Sequence, residues 1–175
     1  MGQMTSAPSQ TTPAFLSPDA LSAPALAAAN INPNTKLATD YLNHFNEAIM
    51  LLEMIPAMPE CADDFLIWEP LSYPDHFRQS NFKARDLAIA AYDSADPEIR
   101  GRFDGLCDTL TSILTAIRDA MAEATQPTTR VRLAEQATGW LKPLVIQAGG
   151  VINGASETQA EEAQPQSDAD LIMSA

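Results

Sequence analysis

From Pro97 to Ala124 the apolar residues keep one rhythm. Ile99, Phe103, Leu106, Leu110, Ile113, Ile117, Ala120 and Ala124 recur at alternating steps of four and three. That 3.5-residue repeat keeps one narrow apolar seam facing a partner along a long helix. Its start is marked: Asp96 can cap the free amide groups, and Pro97 suits the first helical position, where no amide donor is needed. At ~1.5 Å per residue the helix would run roughly 42 Å, so other helices must lie alongside it. The expected fold is therefore all-α: an antiparallel bundle of four main helices plus one short helix, with disordered N- and C-terminal arms.

The remaining periodicities divide the chain into three parts. Residues 1–34 are rich in Ala, Ser, Thr and Pro, with Pro8, Pro13, Pro18, Pro24 and Pro33 at near-regular intervals. Proline blocks helix continuation, and large apolar side chains are too few to offset the ordering entropy, so this part reads as a disordered arm. Residues 35–154 carry the bundle. A first helix begins near Asn34 or Thr35 and stops before Pro56, with Leu37, Tyr41, Phe45, Ala48, Leu52 and Ile55 on one face. A short helix follows from about Pro59 to Trp68, and Pro70 stops it. The next is expected to start at Pro74 under a Ser72 cap, is clear by Phe82 and ends near Ser94 and Ala95. After the central helix, Gln126 to Thr129 make a turn brief enough to imply an antiparallel neighbour. The last helix steps through Ala134, Ala137, Leu141, Leu144, Ala148 and Val151, with a bend expected at Pro143 and a stop at Gly149 and Gly150. Residues 155–175 read as a disordered acidic tail with a hydrophobic tip at Leu171, Ile172 and Met173.

Charge restricts the partners. The formal net charge is −13. Residues 37–154 carry seventeen acids against nine bases, and residues 155–175 carry five acids and no base. With no basic stripe, nucleic-acid phosphates and anionic membranes are both disfavoured as partners. Cys61 and Cys107 lack metal-type spacing and read as two small buried thiols. The N-terminal stretch has no basic start, and no apolar run reaches the ~18 residues of a membrane span, so the expected compartment is the cytoplasm. Met1-Gly2 with Ser6 fits an N-myristoylation pattern, but no polybasic patch follows to supply a second anchor.

Three constellations could carry function. Asp40, His44 and Glu47 fall at i, i+4 and i+7 on one stripe of the first helix, and His76 beside Asp75 could supply a second imidazole. Imidazole and carboxylate are the usual bundle ligands for zinc or iron, although the di-metal pattern repeats Glu-x-x-His on two helices and here the order is His-x-x-Glu, once. The alternative is a hydrated polar face. The second constellation is the stretch Trp68 to Asn81, where Trp68, Tyr73, Phe77 and Arg78 combine aromatics with Arg, the mix favoured at protein recognition surfaces. The same aromatics could equally plug the end of the bundle. The third is the tail tip.

No phosphate-cradling glycine loop, nucleotide fingerprint or Ser-His-Asp pattern is present. The sequence reading is thus a non-enzymatic protein-interaction or regulatory module with no cofactor. Its partner is another protein, and a homodimer is one option. The rival is a metal-binding bundle centred on His44, with enzymatic activity as one option. Two short resemblances accompany it. Asp168, Asp170, Leu171, Ile172 and Met173 resemble the acidic-apolar regulator-binding tip of chemotaxis response-regulator phosphatases, which implies a docking tip. His44-Phe45-Asn46 resembles the His-x-Phe-Asn of one class of histidine-kinase dimerisation helix, with the spacing off by a residue, which implies a phosphoacceptor histidine.

Overall fold

Asp96 does what its position suggests: its Oδ1 accepts the amide protons of Glu98 at 2.9 Å and Ile99 at 3.3 Å, opening the longest helix of the chain. The computed structural model describes residues 16–155. Its helices are α1 (Ala23–Ala28), α2 (Leu42–Met54), α3 (Cys61–Leu66), α4 (Tyr73–Gln79), α5 (Arg85–Asp93), α6 (Pro97–Glu123) and α7 (Pro127–Ile152), with short 3₁₀ turns at Pro18–Leu21 and Thr39–Tyr41. No strand occurs among the described residues, and a single antiparallel bridge joins Ile31 to Ala38. The fold is an all-α helical bundle.

The pair α6–α7 is the backbone of that bundle. Only Ala124 to Gln126 separate the two helices. The Arg130 guanidinium closes the turn by donating from Nε to the carbonyls of Met121 and Ala124. At the far end Arg102 reaches the Ala155 carbonyl, so the two helices run antiparallel. The buried line of α6 is Phe103, Cys107, Leu110, Leu114, Ile117 and Met121. Three members of the expected seam, Phe103, Leu110 and Ile117, lie on it. Leu106 and Ile113 are only partly buried and Ala120 is exposed. The buried face is rotated so that the larger Leu114 and Met121 point inward, and small Ala120 is left outside.

Helix α2 packs against α7. Leu42 lies beside Gly149 and Glu53 pairs with Lys142, which makes this pair antiparallel as well. Its buried residues include Phe45, Ala48, Ile49 and Leu52. The first helix is shorter than the sequence suggests, because Thr39–Tyr41 form a 3₁₀ turn before it. The expected single third helix is broken at Ser80. Ser72 caps α4, accepting the Asp75 amide at 3.2 Å, and α5 starts only at Arg85. Helix α7 continues through Gly139, Pro143, Gly149 and Gly150. Its stop is Gly154, at φ 83°, where the Gly154 amide bonds to Val151 O and the Ala155 amide to Gly150 O. That pair of bonds is the Schellman arrangement, which needs a left-handed residue and so favours glycine.

The N-terminal part departs from the expected arm. Leu26 and Ile31 are both 1% exposed and belong to the core. Asn30, at φ 57°, closes α1 in the same Schellman geometry, with Asn30 N–H on Ala27 O and Ile31 N–H on Leu26 O. The hydroxyl of Thr35 then donates to the Ile152 carbonyl at 2.6 Å. Residues 16–34 are therefore part of the folded body. Two large apolar side chains, fixed by a cap and a tertiary hydrogen bond, offset the entropy that proline and alanine alone could not. The tail tip Leu171, Ile172 and Met173 and the Met1-Gly2-Ser6 pattern lie outside the described residues.

Candidate functional site

The first constellation sits where α2, the loop after α3, and α4 meet. His44 is 7% exposed, and its Nε2 accepts the Leu71 amide proton at 3.0 Å. A nitrogen that accepts a proton carries none, so the ring is neutral with its proton on Nδ1. Trp68 stacks on the imidazole at 4.8 Å between centroids and donates its indole N–H to the His44 carbonyl at 3.3 Å. Burial, reinforced by His76 nearby, lowers the His44 pKa to about 4. His76 turns the other way, with Nε2 3.0 Å from Asp40 Oδ2. Glu47 is exposed on the outside of α2.

The four sequence-predicted ligands therefore split. Asp40 and His76 meet, His44 spends its Nε2 on a backbone amide, and Glu47 points to solvent. Among the described residues no group of three or more His, Cys, Asp or Glu side chains is arranged to hold a metal ion.

The aromatic stretch turns inward too. Trp68, Tyr73 and Phe77 are buried, and among the described residues of the predicted recognition set only Arg78 is exposed, paired with Asp75 at 2.8 Å. The Tyr73 hydroxyl accepts the Ala38 amide proton at 2.9 Å, and the Tyr41 hydroxyl donates to the Leu71 carbonyl at 2.7 Å. Tyr73 also stacks on Tyr92 at 4.5 Å. The Tyr92 hydroxyl donates to both Asp104 oxygens, at 3.0 and 2.9 Å. Burial and that bond push the Tyr92 phenol up to about 12, and burial raises the Asp104 carboxyl. These groups plug the end of the bundle and satisfy each other. Arg118 belongs to the same seal, donating to the Trp68 carbonyl at 3.0 Å with Glu69 3.3 Å away.

The cysteines are free and buried. Burial, with Asp104 and Asp108 adding to it, pushes the Cys107 thiol up to about 12. A thiol so placed stays protonated at neutral pH and is a poor nucleophile. No helix among the described residues is long and apolar enough to cross a membrane.

No family model, curated protein or solved structure matches this chain.

What stands out on the surface is the outward side of α7. Trp140 is 53% exposed and Ile146 is 74% exposed. Steps of 3.6 residues per turn bring Arg132, Gly139, Pro143 and Ile146 onto one outward stripe, with Trp140 along its edge. All five are exposed. Open space surrounds Gly139, where an added Cβ would meet nothing within 4 Å. Pro143 lacks the N–H that would close on the Gly139 carbonyl, so that bond is missing from the helix ladder. Across the Glu53–Lys142 pair, α2 adds Met50, which is also 53% exposed. The antiparallel register puts Met50 and Ile146 each about one turn beyond that ion pair, in the same direction.

Neither Trp140 nor Ile146 belongs to the inner period of the last helix. That was the signal available: large apolar residues off the Ala134-Ala137-Leu141-Leu144 face, in a helix whose inner face is half alanine.

Proposed function

We propose that this chain is a non-enzymatic protein-interaction module, a helical bundle that presents the outward face of α7 to another protein. The observation that carries the reading is the exposure of Trp140 and Ile146 on a long helix. A single exposed apolar residue is ordinary, but a tryptophan, a second large apolar side chain and an arginine exposed on the same helix have the composition of binding hot spots. The polar centre of the bundle supports the same reading by contrast. His44, Tyr41, Tyr73 and Tyr92 all have internal hydrogen-bond partners.

Photocrosslinking tests this. A photoreactive residue is introduced at position 140, at 146, and at the exposed Ser112 of α6 as a control. A docking face gives one discrete adduct of the same mass from positions 140 and 146 and none from 112. Equal labelling from all three positions, or no discrete adduct from 140 and 146, would refute it.

A further inference from the structure

We propose that Met50, Met54 and Met58 form a thioether site along the outer line of α2 for cuprous copper, a soft monovalent cation. The site stands apart from the docking reading of α7, because Trp140 and Ile146 contribute no ligand to it.

Spacing is the first argument. Three of the chain's seven methionines fall within nine residues, in the pattern Met-x-x-x-Met-x-x-x-Met. Four residues of α-helix advance ~400°, so successive members of such a series are offset by only ~40°. Side chains at i and i+4 are neighbours, with Cβ atoms about 5–6 Å apart. Helix α2 ends at Met54, yet the line does not break there. The Met58 amide donates to the Met54 carbonyl at 2.8 Å, which closes one further turn of the same kind. Met50 and Met58 are exposed and Met54 is partly buried, so the series runs along the surface. Glu53 lies on the same line and pairs with Lys142, so the two leave no net charge there to repel a cation.

Chemistry chooses the ion. Methionine is unbranched with three rotatable bonds, so adjacent sulfurs can turn toward a common centre. A thioether is neutral, polarizable and a weak hydrogen-bond acceptor, and such soft ligands select cuprous copper. Zinc, manganese and ferrous iron are drawn to imidazole and carboxylate instead. Among the described residues no group of three or more His, Cys, Asp or Glu side chains is arranged to hold a metal ion. Cys61, three residues past Met58, is buried with the core, so its thiol is not one of the ligands. Imidazole, thiol and carboxylate must lose a proton to bind a metal, whereas a thioether has none to lose. Binding at this site is therefore independent of pH across the neutral range.

Methyl-labelled methionine reads each sulfur separately by NMR. The full chain is titrated with silver(I), a redox-inert probe of the same class, in chloride-free buffer. Met50→Leu, Met54→Leu and Met58→Leu assign the three signals with little change in volume. The signals of Met50, Met54 and Met58 should move along one binding curve. Its midpoint should lie at least about tenfold below that of Met173, which has no second methionine at that spacing. Buried Met121 should not move. Met54→Leu removes the middle ligand and should weaken the response of Met50 and Met58 at least about tenfold. The curve should be the same at about pH 6 and pH 8, persist in Cys61→Ala and be absent with zinc. Unmoved signals would overturn the proposal and leave the three residues as plain apolar surface. A midpoint shared with Met173 would overturn it as adventitious binding to single thioethers. A curve lost in Cys61→Ala would also overturn it, assigning the ion to the thiol.

Discussion

The amide of Leu71 donates to Nε2 of the buried His44 at 3.0 Å, and this bond decides how the histidine behaves. The ring must stay neutral to accept it, and burial lowers its pKa to about 4. A folded-state pKa below the unfolded value of ~6.5 means that the unfolded chain binds more protons between those values, so stability falls as pH falls through that window. The expected loss between pH 7 and pH 5 is about 2 kcal/mol from this group alone. Urea unfolding at the two pH values measures it. His44→Gln, which keeps an acceptor and cannot titrate, should flatten the slope. An equal pH dependence in wild type and variant would show that His44 is not the titrating group.

Leu114 tests the corrected face of α6. It lies outside the seam expected from sequence yet is fully buried, as Leu110 is. Leu110→Ala and Leu114→Ala should each cost about 2–5 kcal/mol. Ala120→Ser, on the exposed side, should fall within ~0.5 kcal/mol of wild type. Denaturant unfolding separates these outcomes, and a neutral Leu114→Ala would mean that the buried line is wrong.

These comparisons indicate how far sequence could go. The start of α6 was legible because a capping aspartate, a first-turn proline and an unbroken apolar period agree locally, and no tertiary contact is needed to choose among readings. Leu26 and Ile31 were not legible as core. Each is an isolated large side chain in an Ala- and Pro-rich stretch, and their burial depends on contacts far along the chain, such as Thr35 with Ile152. Trp68, Tyr73 and Phe77 failed for a different reason. Aromatics near an arginine look alike whether they seal a bundle or face a partner, and only the fold distinguishes the two. The Asp40-His44-Glu47 stripe has one member on each side of a boundary the sequence cannot draw: the helix starts at Leu42, after Asp40, and rotation about its axis sends Glu47 out and His44 in.

The N-terminal segment is the next test. Truncation to residues 35–175 should lower the thermal midpoint, because it removes Leu26 and Ile31 from the core. Ile31→Ala in the full chain should cost about 2–5 kcal/mol. An unchanged midpoint on truncation would return this segment to the status of an arm.

Metal addition bears on the rival reading. An ion that binds only the folded state must raise the melting temperature. Since His44 is engaged by Leu71 and Glu47 faces solvent, zinc, manganese or ferrous iron should leave the wild-type midpoint where it was. A rise that His44→Ala abolishes would reinstate the histidine-centred metal site.

The most direct measurement concerns Trp140. A protein captured as the discrete adduct from position 140 is purified and titrated against the wild-type chain and against Trp140→Ala. A docking face centred on that side chain means that affinity falls more than about tenfold, the range of a tryptophan hot spot, while the unfolding midpoint stays within ~0.5 kcal/mol of wild type, as for an exposed position. Equal affinity in the two proteins would contradict the assignment of α7 as the interaction surface.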